Sequence, residues 1–404
     1  MKQGYLSEYF SGVAIKSLSA VEADLLRSNQ HEFNGVESLK RVFGSAQGKQ
    51  NVPAKFVYLN DIDSEPVTAD GFLTWYDARE RHPTRSEYRM YFPTTSVSEK
   101  AVEGDLLVIG RRPDGSVLVV VAQGDSTVAS QVRWLFGAQN FDGTGYLIRE
   151  NPETEQDRIA FASRAILEAI GVDVETSQDA MLEDMLRRFH GAFPSTREFS
   201  SYARSTLTGV HHGDNGDGVL MAWMEREESL FRTLERHLIA DRLVAGFGHD
   251  VDAFIAFSLS VQNRRKSRVG LALENHLEHL FLQRGVRYTR TGVTENRLRP
   301  DFLFPGVQQY HDFAFDAKRL TVLGVKSTCK DRWRQVLAEA DRVEQKHLLT
   351  LESAISSNQT DEMRAKKLQL VLPAQLHRTF LPAQQAWLAT IEDFLAHVSK
   401  RQDA

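Results

Sequence analysis

The sequence predicts a multidomain α/β protein, with a β-rich domain in front of one where helices alternate with short strands. Three observations lead there. The chain has 404 residues, and roughly 150 per domain argues for at least two domains with sizeable cores. Residues 1–150 are dominated by short apolar runs bounded by turn signals, whereas beyond residue 193 long helical periodicities alternate with apolar runs of strand length. Hydrophobic residues at 42% and charged residues at 25% match a globular chain and exclude a disordered or fibrous one.

In the first part, Ala54–Leu59, Glu87–Phe92, Leu106–Ile109 and Ser116–Val121 read as strands. The last two are joined by Arg111-Arg112-Pro113-Asp114-Gly115, a turn sequence. A barrel or sandwich is expected, interrupted by helices Val36–Phe43 and Thr127–Phe136, each followed by a stop glycine, Gly44 and Gly137. Residues 151–192 turn polar and helical and read as a connector. Helices follow at Gly218–Ala245, Val251–Val261 and Arg268–Gln283, the last ended by Gly285. Extended runs Phe302–Phe304, Phe313–Asp316 and Leu320–Val325 and a helix Cys329–His347 complete the pattern of a domain spanning 193–404. There is no internal repeat.

The longest apolar runs, Leu106–Ile109 and Val117–Ala122, are far short of the ~20 residues of a bilayer helix, and the first residues do not start a signal peptide. A soluble, cytoplasmic protein with no membrane partner is expected. Cys329 is the only cysteine, which excludes an intrachain disulfide and leaves oxygen or imidazole as metal ligands. The net charge of −5 advertises no nucleic-acid partner for the chain as a whole. Between Gln262 and Arg299, however, nine Lys or Arg face three acids, so a basic face has a local purpose.

The chemistry is expected around Pro300-Asp301. Asp301 opens the apolar run Phe302-Leu303-Phe304, Lys326 closes the strand Leu320–Val325, and Glu339 follows inside the expected helix. Two carboxylates and a lysine at strand ends suit phosphodiester hydrolysis: carboxylate oxygens hold Mg²⁺, and the ammonium orients a water. The plainer alternative is a strand-end ion pair. Glu274 and Glu278, one helical turn apart, repel unless a cation intervenes. His276-Leu277-Glu278-His279 lacks the H-E-x-x-H zinc spacing, and His211–Gly218 lacks the alternation of a calcium loop.

The order Glu274, Pro300-Asp301, Lys326, Glu339, with Val325-Lys326-Ser327-Thr328-Cys329-Lys330-Asp331-Arg332-Trp333-Arg334-Gln335 between the last two, resembles the PD-(D/E)XK nucleases, and within them the EcoRII-type restriction endonucleases. The resemblance extends to Asn263–Arg268, Leu273-Glu274, His276–Phe281 and Tyr310-His311-Asp312, covering about Phe193 to Leu372. It implies a restriction-endonuclease-like α/β/α catalytic domain, Mg²⁺ as cofactor, and Asp301, Lys326, Glu339 and Glu274 as active-site residues, the three carboxylates holding metal. Gly324, two before the lysine, departs from the general pattern. This branch supplies the missing acid from the following helix, a role that falls on Glu339.

The triplet Lys330-Asp331-Arg332 offers two guanine-type donors around a cytosine-type acceptor. In this branch the matching triplet reads CC and GG pairs, although Thr328 to Asp331 also fits a capping box. Arg264, Arg265, Lys266 and Arg268 read as phosphate clamps. In the first domain, Trp75–Arg85 combines aromatics with Arg79, Arg81 and Arg85 in a loop that reads either as a DNA grip or as an ordinary exposed loop, and Ser28–Gly35 is a second polar cluster, read as a helix-capping turn or as base-edge contacts. At fold level alone, this half resembles a β pseudobarrel of the plant B3 DNA-binding type. The expected function is that of a type II restriction endonuclease, a homodimer acting on double-stranded DNA at a short palindrome. The rivals are a DNA-binding protein on a nuclease scaffold and a repair nuclease of the same fold.

Overall fold

The computed structural model describes residues 5–23, 31–33, 36–63, 65–82, 84–141, 143, 145–154, 161–172, 174, 181–210, 213–327, 332–353 and 355–403. Its contacts divide the chain into two units. One comprises Met1–Val174 with the short segments Ser353–Ser357 and Arg378–Pro382; the other is the remainder.

The first unit is built on β1 (Gly12–Ser17), β2 (Glu32–Phe33), β3 (Gln50–Leu59), β4 (Val67–Asp77), β5 (Tyr88–Tyr91), β6 (Leu106–Arg111), β7 (Val117–Ala122) and β8 (Leu147–Glu150). They form a single eight-stranded sheet in the order β2-β5-β4-β3-β7-β6-β1-β8. Every pairing is antiparallel except β3 with β7. The alternation of strand side chains explains why β7 is apolar throughout. Val117, Val119 and Val121 enter one core with Trp75, Phe43 and Met90, while Leu118, Val120 and Ala122 enter a second with Val132, Leu135 and Ile166. Helices Thr127–Leu135 and Phe161–Ala169 cover that second face, so residues read as connector contribute core. The hairpin at Arg112–Ser116 turns through Gly115 at φ +86°, as its sequence predicts.

The second unit carries a five-stranded sheet of β9 (Thr289–Arg290), β10 (Phe302–Phe304), β11 (Thr321–Lys326), β12 (Lys346–Thr350) and β13 (Leu368–Val371), ordered β13-β12-β11-β10-β9. β10 pairs antiparallel with both β9 and β11, and β11, β12 and β13 run parallel. Helices Gly216–Ala245 and Val251–Gln283 pack on each other, and Leu273, Leu277, Leu280 and Phe281 of the second are buried.

Three expectations fail here. The helices expected at Val251–Val261 and Arg268–Gln283 are one, because the polar residues between them interrupt the apolar stripe and not the backbone. Phe313–Asp316 is a turn: Phe313 is exposed, and the Asp312 carboxylate accepts the Ala314 N–H at 2.9 Å. Among the described residues, the helix expected over Cys329–His347 spans only Trp333–Leu337. Ala340, at φ +53°, turns the chain, and Lys346–Thr350 becomes a wholly buried strand between β11 and β13. A short apolar run suits a buried strand as well as a helix, and only its neighbours decide.

Candidate active site

The site grows from the antiparallel pair β10 and β11, whose register sets Phe302 opposite Leu323. Asp301 stands immediately before β10 and Lys326 ends β11. One Asp301 oxygen, Oδ2, accepts both the Val325 N–H and the Lys326 ammonium, each at 2.6 Å. The two side chains retain 16% and 10% exposure, enough for a ligand to reach them.

Gly324 shows why no acid stands two residues before the lysine. A Cβ there would lie 2.5 Å from Val336 Cγ2, because the short helix Trp333–Leu337 packs directly on that point of the strand. The same packing carries the chain to Glu339, one residue beyond the helix C-cap Ala338, which is buried. Arg332 and Glu339 therefore do not share one helix face: Arg332 precedes the helix and Glu339 follows it. Glu339 Oε2 is buried with no hydrogen-bond partner. Burial pushes its carboxyl up to about 7; Lys326 opposes the shift and Asp301 adds to it, so the three groups feel one another.

Glu274 and Glu278 find their cation in Arg290 of β9. Its Nη2 meets Glu274 Oε2 at 2.8 Å, and its Nη1 donates to Glu278 Oε2 at 2.9 Å and Asn275 Oδ1 at 3.0 Å. Arg197 also reaches Glu278, at 2.8 Å. Burial raises the Glu274 carboxyl, with Arg290 opposing and Asp301 reinforcing. For Glu278 the two arginines outweigh burial, and its carboxyl lies below the usual range. Glu278 is thus an ion-pairing residue. Arg290 itself was legible only as the counter-charge that an acidic pair one turn apart demands.

Among the described residues, no three His, Cys, Asp or Glu side chains gather into a metal cage. What is gathered is smaller: Asp301, Glu339 with an orphaned oxygen, and Lys326. That donor set fits a hard divalent cation such as Mg²⁺, which keeps most of its water and takes only one or two protein carboxylates.

Lys330 and Asp331 of the base-reading triplet lie outside the described residues, as do Cys329 and residues 28–30, 34 and 35 of the polar cluster, while Arg332 is exposed. The basic segment divides. Lys266 is exposed, Arg264 lies over the Phe193 ring, and Arg265 pairs with Glu235 at 2.7 Å. Arg268 is a correction: at 8% exposure it is sandwiched between Phe199 and Phe231 beside Glu227, as a packing cation and not a surface clamp. In the first unit Trp75 also departs from expectation, since it is a core residue of β4 whose indole N–H donates to Gly44 O. The exposed turn begins after Asp77; it presents Arg81 and Arg85, while Arg79 pairs with Glu87 at 2.6 Å. His276 is fully buried, between Arg204 and Glu227.

Residues 231–395 match the protein family described as EcoRII C terminal. That stretch is similar to this family. Asp301, Lys326, Glu339 and Glu274 all fall inside it. Over 212 residues the chain is 43% identical to the type II restriction enzyme EcoRII of Escherichia coli, covering 52% of this chain and 52% of that enzyme. The chain thus spans about half the length of the curated relative it matches. Among solved structures it is similar to Ecl18kI, metal-depleted and in complex with uncleaved, modified DNA (17% identity, TM-score 0.43, 57% of this chain and 86% of that one). It is also similar to a PspGI–substrate DNA complex (15% identity, TM-score 0.44, 52% and 94%). No described helix is long and apolar enough to cross a membrane.

Proposed function

We propose that this protein is a type II restriction endonuclease that hydrolyses double-stranded DNA with Mg²⁺ as cofactor. The observation that carries the reading is the Asp301–Lys326 pair beside a buried Glu339 whose Oε2 has no partner, within residues similar to the EcoRII C-terminal family. Asp301 and Glu339 would hold the ion, with Glu274 beside them; when bound, it would neutralise phosphate charge and lower the pKa of a water. The chain's own residues do the rest. The Val325 N–H and Lys326 fix the Asp301 carboxylate. The Lys326 ammonium orients the attacking water and stabilises charge on the phosphoryl oxygens as one P–O bond forms and another breaks.

Specificity is assigned to Lys330, Asp331 and Arg332, reading a palindrome with outer CC and GG, of the CCWGG kind, cut before the first C. Lys266, with Arg264 and Arg265 at its side, is the phosphate-contacting segment. Two symmetric sites require a homodimer. The organisation proposed is a DNA-binding and regulatory domain at 1–150 and a catalytic domain at 193–404, joined by residues 151–192, whose helix Phe161–Ala169 adds to the core of the first unit, with Arg79, Arg81 and Arg85 as DNA contacts of the first. That domain restrains cleavage until it binds a second DNA copy, so deleting residues 1 to 175 should speed cutting of single-site DNA.

Digesting unmethylated DNA with Mg²⁺ and sequencing the ends tests the central reading. Unique ends at a CC/GG palindrome are expected, and binding without any cut would establish a DNA-binding protein instead. Arg332→Ala should cost about 1–3 kcal/mol at one guanine contact; equal loss on random DNA would make Arg332 a backbone contact.

A further inference from the structure

Arg290 is more heavily engaged than an ordinary surface arginine. Its guanidinium bridges three acceptors on successive residues and turns of the helix Val251–Gln283: Glu274, Asn275 and Glu278. The guanidinium carbon lies 6.0 Å from the centre of the Phe302 ring, and the next residue, Thr291, donates its N–H to the Asp301 carbonyl at 3.1 Å. The same short strand thus grips the main chain of Asp301 and the side chain of Glu274. A carboxylate pair one turn apart is an arrangement that a divalent cation could bridge; here a guanidinium already bridges it, covalently tied to the strand and unable to dissociate. The planar fork delivers separate N–H groups to separate carboxylates, which a lysine ammonium does less well.

We propose that Arg290 is a positioning residue that stands in for a second divalent cation at Glu274, so that each active site takes up one dissociable ion, on Asp301 and Glu339. The inference rests on the nuclease reading above and deepens it. Glu274 then acts through its place in the network, and the fixed positive charge of Arg290 discourages a metal ion from binding Glu274 directly.

The test counts ions in the full-length protein without DNA, by titrating Mn²⁺ and following free Mn²⁺ by electron paramagnetic resonance. Sites are counted relative to Asp301→Asn, which sets the background. Wild type should show one ion above background, Arg290→Met two, and Arg290→Met combined with Glu274→Gln one again. Arg290→Lys, which keeps the charge, should stay at one; should Arg290→Met fold poorly by circular dichroism, Arg290→Gln takes its place, with two ions expected and one overturning the proposal. Two ions on wild type, or one on a folded Arg290→Met, would overturn the proposal. No ion above background on wild type would overturn the metal-dependent reading and this proposal with it, whereas wild type at one and Arg290→Met at one would overturn this proposal alone.

Discussion

Each unit buries a lysine against a carboxylate, and the two pairs have opposite meanings. In the first unit Lys16 meets Glu22 at 2.8 Å, with side-chain exposures of 8% and 0%. The second Glu22 oxygen accepts the Ser19 N–H at 3.0 Å and hydroxyl at 2.7 Å, and Lys16 also lies 5.0 Å from the Tyr146 ring. That network is closed. In the second unit the Asp301–Lys326 contact is shorter, 2.6 Å, yet beside it Glu339 keeps a buried oxygen without a partner and a carboxyl raised to about 7. A buried ion pair is therefore no sign of chemistry by itself. The sign is the unsatisfied neighbour, a cost that folding alone gives no reason to keep.

The largest difference should appear on removing one partner from each pair. Asp301→Ala should slow cleavage by roughly 10³-fold or more, since several kcal/mol of transition-state stabilisation go with it. DNA binding in Ca²⁺ should survive in a gel-shift assay. Lys16→Met should do the reverse, costing about 3–5 kcal/mol in denaturant unfolding by stranding a buried carboxylate, with the cleavage rate of the folded fraction unchanged. If the two variants behaved alike, the distinction between closed and open clusters would collapse.

Glu339→Gln sharpens the contrast. The carboxyl titrates near 7 in the folded chain against 4.5 as its ordinary value, so the folded state holds the extra proton between those values. Stability of the metal-free protein should then fall as pH rises from about 4.5 to 7 and level off above, by roughly 3 kcal/mol in all. Glu339→Gln should remove that slope, melting higher than wild type at pH 8 and equally at pH 4.5, while abolishing cleavage. In wild type, raising Mg²⁺ should move the acid limb of the cleavage profile to lower pH, because metal and proton compete for the same oxygens.

The smallest effect concerns the packing that sets Glu339 in place. Gly324→Ala puts a methyl group 2.5 Å from Val336 Cγ2 and should cost about 1–3 kcal/mol, with cleavage falling because the helix before Glu339 must shift. Val336→Ala in the same chain should restore part of both, read by thermal melting and end-point digestion; no rescue would mean that the contact does not govern the site.

Much of this was legible in the chain itself. Short apolar runs marked β3, β5, β6 and β7, because side chains of a strand face opposite ways and each face had a core to fill. The spacing of Pro300-Asp301, Lys326 and Glu339 marked the candidate site because the residues on either side of the Asp301–Lys326 pair are buried strands, where a charge must find a partner. Tertiary structure decided what spacing could not express. Lys346–Thr350 is a strand because parallel neighbours supply its hydrogen bonds. Arg268 turns inward because two phenylalanines and Glu227 accept it, and Arg290 joins Glu274 to Glu278 because β9 runs beside Asp301. Local periodicity follows from one segment's own geometry, whereas a charge acquires its role from partners that only the folded chain brings within a few ångströms.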